Sequence, residues 1–319
     1  MAVTTALDVL RHSNTVEGNT LNLMEQMRQE LIAKLAGGDL TTWNKDRLRQ
    51  LLKDTEVIIT SYYTKAQTAL VPTYSAVTNA TASQTAAGLG VTVPSKAVLN
   101  AVVTDFLITG SPARAWWEKQ AADTAFRFSA AIRQGIVQSE TMPQIFKRVN
   151  EAIGIAGRNA KTLTHTSVMA VMNAANLATL EDNSDVAPAV RWMATLDSST
   201  CPSCGERDGL EWDTETYEPI DHDIPFESPP LHWGCRCKLV AVTDLSRNMA
   251  GQRASMFGPV DRKMTFSDFL KRQSLDFQTE VLGKGRAELY RAGKITLSDL
   301  VSGSGAPLSL AKLNSKYSV

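Results

Sequence analysis

Five residues of this sequence have the types and spacing to hold a metal ion: Cys201, Cys204, His232, Cys235 and Cys237. They include all four cysteines of the chain and lie within 37 residues of one another. Zinc takes four ligands from thiolate and imidazole, often as a Cys-x-x-Cys turn joined to a distant second pair. Cys201-Pro202-Ser203-Cys204-Gly205 supplies the first pair, with proline and glycine shaping the turn. His232, Cys235 and Cys237 offer the second, which leaves five candidates for four positions. On a regular strand, side chains two apart point to the same face but are spaced about 7 Å along it, wider than two ligands of one ion. Cys235 and Cys237 can therefore share one ion only if the backbone turns there, which Gly234 permits. One of the three is expected to be spare or to stand behind the ligands.

Clustered cysteines in a reducing compartment favour a metal over disulfides. Reduced cysteines packed without metal at a strand junction are the next reading, and disulfides formed after release into an oxidising medium the third. A catalytic zinc fits least, because hydrolytic sites keep an open coordination position and a paired carboxylate or histidine base. The nucleobase deaminase signature also fails: it needs H-x-E ahead of P-C-x-x-C, and here the order is Cys201-Pro202 with no upstream partner. Catalytic and cofactor-binding residues other than this cluster are not identifiable. His165, between Thr164 and Thr166, reads as a polar residue on a helix face.

The elements that must hold the cluster are two strands. Residues 189–196 are β-branched and aromatic, and Lys238-Leu239-Val240-Ala241-Val242 follows directly on the cysteines. Between them runs a long acidic loop through Asp208, Glu211, Asp213, Glu215, Glu218, Asp221 and Asp223. Two strands joined by such a loop bury little unless a staple closes it where it begins and ends.

Upstream, the periodicity is helical. Leu21, Met24, Met27, Leu31 and Leu35 form one stripe, with Asn14 and Glu17 as a cap and Gly37-Gly38 as a stop. A second stripe runs through Leu48, Leu51, Leu52, Thr55, Ile59, Tyr62 and Ala66 and is expected to end before Pro72. Residues 74–90 read as a weakly packed helix or a connector. Ser111-Pro112 starts a helix with Trp117, Ala121, Thr124, Phe128 and Ile132 on its apolar face. A further stripe, Leu163, Val168, Val171, Met172, Ala175 and Ala178, ends near Asp182. Downstream of the cysteines, short helices are expected at 265–270, 278–282 and 285–290, and Gly283-Lys284-Gly285-Arg286 reads as a solvated basic turn rather than a phosphate loop. The fold class is thus mainly α with a small α+β module: long N-terminal helices, a two- or few-stranded antiparallel sheet stapled by the Cys/His cluster, and short C-terminal helices. Four regions follow: a helical docking region at 1–110, a central helical region at 111–185, the Cys/His module at 186–245 and a basic helical tail at 246–319.

Composition excludes several classes. The 319 residues are 43% hydrophobic, enough for packed cores. Thirty-three Lys and Arg balance thirty-three Asp and Glu, which rules out a uniformly basic coat for nucleic acid. The balance hides opposed regions, however. Residues 195–237 carry ten acids against two bases, and residues 246–319 carry twelve bases against six acids. No run approaches the eighteen or so apolar residues of a membrane span, and Met1–Asp8 lacks the basic start and apolar block of a signal peptide. A soluble protein made in a cytoplasm is expected.

The order of these motifs carries a resemblance. A helix containing Leu163–Leu177 and a strand with Trp192 lead into Leu196-Asp197-Ser198-Ser199-Thr200-Cys201-Pro202-Ser203-Cys204. Asp208-Gly209 in the acidic loop, His232-Trp233-Gly234-Cys235-Arg236-Cys237-Lys238-Leu239, and a tail with Phe269-Leu270, Gln278, Leu282-Gly283 and Ile295–Leu300 follow. Over roughly residues 125–310 this resembles the phage Mu F-like head morphogenesis family of tailed bacteriophages. The resemblance implies a structural minor head protein, a low-copy virion component assembled in the host cytoplasm. It would sit in the head interior or at the portal vertex and affect assembly, DNA packaging or ejection. The partners implied are the portal protein and the major capsid or scaffold protein, with packaged double-stranded DNA as a further contact for the basic tail. A zinc-module nucleic-acid-binding protein is the alternative, though the acidic loop would repel phosphate. A phage-associated enzyme is the weaker one, since no Arg…Ser-x-Ser…Glu-x-Glu set or serine–histidine–acid arrangement is present.

Overall fold

The computed structural model describes residues 6–37, 45–244, 246, 250–302 and 308–317. The architecture is mainly α with small antiparallel sheets. The chain divides into two compact units, one of Met1–Thr81 with Leu99–Met172 and one of Ala82–Val98 with Asn173–Val319. No helix among the described residues is long and apolar enough to cross a membrane.

The chain's long helices are α1 (Ala6–Ala36), α2 (Lys45–Leu89), α3 (Lys96–Asp105), α4 (Ala113–Val137) and α5 (Met142–Glu181). They build the first unit, except that α2 after Thr81, α3 before Leu99 and α5 after Met172 belong to the second. The residues at helical spacing become the core of the first unit. Met24, Met27, Leu31 and Leu35 of α1, Ile59, Tyr63 and Leu70 of α2, and Trp117, Phe128 and Ile132 of α4 are all buried. Each such side chain contributes about 1.5–3 kcal/mol by leaving water. Polar contacts fix the register between helices. The Tyr63 hydroxyl lies 2.8 Å from Thr124 Oγ1, Thr20 Oγ1 lies 3.0 Å from Thr164 Oγ1, and the Tyr62 hydroxyl donates to Glu30 at 2.9 Å.

Several boundaries differ from the sequence expectation. Helix α1 begins well before Asn14, so that residue is no cap. Glu17 is instead buried inside the helix, with Ser13 donating to it at 3.3 Å. Leu21 of the expected stripe is largely exposed. Gly37 follows the last turn and its N–H reaches the Ala33 carbonyl at 3.0 Å, whereas Gly38 lies outside the described residues. Helix α2 does not stop at Pro72 but runs through it to Leu89, absorbing the supposed connector. Proline removes one backbone donor there, yet Leu70, Thr73, Tyr74 and Val77 are buried on either side of it. Packing of that face outweighs the one missing hydrogen bond. Pro112 stands at the N-cap of α4 rather than inside it, because Ser111–Pro112 (β2) pairs with Leu107–Ile108 (β1) in a hairpin turned by Thr109 and Gly110, both at positive φ.

The second unit contains the expected antiparallel sheet, four strands in the order β5-β4-β3-β6. Strand β3 (Ala189–Met193) is central, between β4 (Glu211–Asp213) and β6 (Lys238–Val242), and β5 (Pro219–Ile220) pairs with β4. Strands β4 and β5 arise within what the sequence presents as an acidic loop. Trp212 explains this: it is fully buried, and its Nε1 donates to the Ile224 carbonyl at 2.8 Å. A further hairpin, β7 (Gln252–Ser255) with β8 (Gly258–Asp261), is joined to the chain after β3 by a bridge between Leu196 and Ser255.

After a short α6 (Pro202–Glu206) at the first cysteine pair, the described residues of the tail form four short helices, α7 (Phe266–Lys271), α8 (Leu275–Leu282), α9 (Lys284–Arg291) and α10 (Leu310–Tyr317). Thr265 and Asp268 form a reciprocal capping box on α7. Gly283, at φ 78°, separates α8 from α9, while Gly285 lies inside α9, so the basic turn read from the sequence is the first turn of a helix. Phe266, Phe269, Leu270, Leu282 and Tyr290 make the core of this part.

One buried ion pair ties the acidic segment to the basic tail. Asp208 is 4% exposed; its carboxylate accepts from Arg253 Nη1 at 2.9 Å and from the backbone N–H of Ala194 and of Phe266, both at 2.7 Å. Breaking a buried pair by removing one partner typically destabilises by about 3–5 kcal/mol. Arg253→Ala is therefore expected to lower the denaturation midpoint of the second unit by a loss of that order in urea titration, and a loss under about 1 kcal/mol would contradict the role given to the pair.

Candidate metal centre

Helix α6 starts at Pro202, which at the first helical position gives up no needed hydrogen bond. Cys201 caps it and Cys204 lies within its single turn. Gly205 follows because the Phe266 ring lies against it: a Cβ there would collide with the ring. The second cysteine pair reaches the same place from the other side of the sheet's connecting segment. Gly234, at φ 74°, makes the turn, and the Cys235 N–H reaches back to the His232 carbonyl at 3.2 Å. Strand β6 begins only at Lys238, so Cys235 and Cys237 precede it and strand extension does not hold them apart. Both are buried.

All five expected residues come together. Cys201 Sγ and Cys204 Sγ lie 3.3 and 3.2 Å from His232 Nε2, and Cys204 Sγ lies 3.8 Å from Cys235 Sγ. Two groups of three emerge, Cys201–Cys204–His232 and Cys204–Cys235–Cys237, with ligand atoms within 4.8 Å of one another in each. Cys204 belongs to both. Tetrahedral zinc with ordinary bond lengths sets two sulfurs about 3.8 Å apart and a sulfur and nitrogen about 3.6 Å apart. The donor set and its spacing fit such an ion, and all four cysteines are free of disulfides.

The electrostatics follow from crowding. Hydrogen bonding from Cys204, with His232 beside it, pushes the Cys201 thiol down to about 4. Cys201 and Cys235 push the His232 imidazole up to about 11. Cys235 is driven down by Cys204 and Cys237, and Cys204 is driven up by its three cysteine neighbours. Cys201 and Cys235 thus lean towards thiolate, the ligand form, while metal binding also requires Cys204 to lose its proton and His232 to be neutral.

The surroundings hold the ligand segments in place. Asn173 of α5 donates to the Cys237 carbonyl at 3.1 Å and accepts from the Leu239 N–H at 3.0 Å; Asn176 donates to the Leu239 carbonyl at 3.0 Å. Arg236 forms a two-point ion pair with Asp197, one contact of which is 2.7 Å. Sequence reading did not single out either asparagine. Their spacing of three on a helix was the available signal, since it places both on the face that meets β6. His222 is not part of the cluster: its Nε2 meets the Glu211 carbonyl at 2.8 Å and its ring packs edge-on to Trp212. His165 lies in the first unit with Nδ1 3.1 Å from Glu17, as a polar residue of a helix face.

Residues 127–240 match the family model described as Phage Mu protein F like protein. That segment is similar to the phage Mu F-like family. The Mu F-like segment runs from α4 through the first residues of β6 and contains all five cluster residues. The tail from 241 onward, part of the resemblance read from the sequence, lies beyond the match. No curated protein and no solved structure matches the chain.

Zinc at this centre predicts about one ion per chain by elemental analysis. Because Cys204 is common to both groups, Cys204→Ser is expected to abolish metal retention, while Cys237→Ser leaves Cys201, Cys204, His232 and Cys235 and keeps it. Protons compete with the metal for thiolate. Acidification should therefore release the ion as the ligands regain their protons, as read with a chromogenic chelator. Equal retention by both variants would refute this assignment.

Proposed function

We propose that the chain is a structural minor head protein of a tailed bacteriophage, acting in head morphogenesis near the portal and in DNA packaging or ejection. The observation that carries this reading is the Mu F-like match over residues 127–240, which takes in the whole Cys/His centre and the strands that frame it. On this reading the metal is zinc, held by Cys201, Cys204, His232 and Cys235, and its role is architectural. Four other donors crowd around Cys204, which suits a closed structural site better than one with an open position for substrate.

The same reading assigns the chain to the virion, in the head interior or at the portal vertex. Its partners would be the portal protein and the major capsid or scaffold protein, with packaged double-stranded DNA as a further contact. The long helices of the first unit offer docking faces: Val57, Phe126 and Val137 are more than half exposed on α2 and α4. Docking rather than catalysis is the role proposed for them.

Quantitative mass spectrometry of purified virions and procapsids tests the proposal. The expected result is this chain present in both or in procapsids alone, at far fewer copies than the coat protein. Its absence from both particles would overturn the reading.

A further inference from the structure

The second unit contains another polar site, on the sheet face turned away from the cysteines. In β3, Val190 and Trp192 are buried in the core that holds Cys204, Cys235 and Cys237. Alternation turns Arg191 and Met193 to the opposite face. The register places Val240 beside Arg191 and Lys238 beside Met193 on that face. The hairpin β7–β8 and the turn after it lie over it, leaving a cleft of about 210 Å³. At roughly 30 Å³ per water, this is room for an oxyanion with part of its hydration.

The cleft is lined by four cations, Arg191, Arg253, Arg262 and Lys263, and by no carboxylate. Their charges differ in availability. Arg253 is spent on Asp208 and on the carbonyls of Ala194 and Met264, so it forms a fixed floor. Arg191 gives Nε and Nη2 to Glu211, with Nη1 making no hydrogen bond among the described residues. Arg262 and Lys263 form no ion pair among the described residues. Gly209, at φ 93°, brings bare backbone to the wall, its N–H bonded to the Trp192 carbonyl at 2.9 Å. Two unpaired cations and the open Nη1 of a third, on a recess that no acid lines among the described residues, are an arrangement that binds phosphate: arginine offers a planar fork and lysine a point charge.

We propose that this cleft binds a phosphate group through Arg262, Lys263 and the free Nη1 of Arg191. A phosphodiester of a nucleic-acid backbone and free inorganic phosphate share that chemistry. Arg253 is a positioning residue, holding the hairpin over the sheet. The proposal stands apart from the head-protein reading, and its failure would leave the virion measurement untouched.

The test uses the full zinc-loaded chain in two arms. In equilibrium dialysis against labelled inorganic phosphate, the wild type is expected to retain label that Arg262→Ala/Lys263→Ala loses. The charge-keeping exchange Arg262→Lys/Lys263→Arg should retain it, and so should Arg114→Ala/Lys119→Ala on an exposed face of α4. In fluorescence anisotropy with a short duplex DNA, the same double alanine variant should weaken binding and lower the salt slope by about two, one per phosphate contact. Loss in the DNA arm identifies the backbone as the source, and loss in the dialysis arm alone identifies free phosphate. The proposal is overturned if the wild type binds neither probe, or if the double alanine variant binds whichever probe the wild type takes as well as the wild type does.

Discussion

The Asp208 carboxylate is the constraint around which the second unit is arranged. It is buried, and burial raises its pKa against the pull of Arg253 and of the Ala194 and Phe266 N–H groups. A carboxylate so placed requires its donors to be in position. Those donors come from the residue after β3, the first strand of the β7–β8 hairpin and the start of α7. One anion therefore sets the relation of the central sheet, the hairpin and the C-terminal helices, and the cysteine turn at Cys201–Cys204 lies only a few residues upstream of it. The opposed charges of residues 195–237 and 246–319 are in this respect a folding device as well as a surface property. The most buried acid of the first region is neutralised by a base from the second.

Much of this was legible in the sequence, and the limits have physical causes. The helical stripes around Met27, Ile59, Phe128 and Val171 became buried faces because a 3.6-residue period has few other interpretations. The start of β3 and both ends of β6 were equally clear, although β3 stops at Met193 where the sequence suggested residue 196, and the five cluster residues converge as their spacing implied. The misplaced features were those decided by tertiary packing. Pro72 is a helix breaker in isolation and a helix residue where Leu70 and Val77 are buried beside it. Asp208 reads as one more acid in a charged loop, since nothing local announces that Arg253 will meet it. Glu211 and Asp213 look like loop residues until the buried indole of Trp212 between them makes that stretch a strand.

The region just before β6 shows how a small backbone change alters chemical capacity. Had the strand begun three residues earlier, its extension would have spaced Cys235 and Cys237 about 7 Å apart along one face, too far for the second group of three to close. The turn at Gly234 and the two asparagines on α5 hold the chain out of strand geometry until Lys238. The cluster owes its donors to the cysteine spacing, and owes their convergence to where regular structure is prevented from starting.

The position of Arg253 has a consequence for how the chain matures during synthesis. It follows Asp208 by 45 residues, so a nascent chain exposes the acidic segment and the cysteines well before their counterion exists. Until the hairpin emerges, the sheet has a carboxylate it can bury only by protonating it or by leaving the segment open to solvent. Premature termination between Cys237 and Arg253 would yield a product that carries every metal donor but not the charge that closes the structure over them. The donors thus acquire their closed setting only once the hairpin has been made.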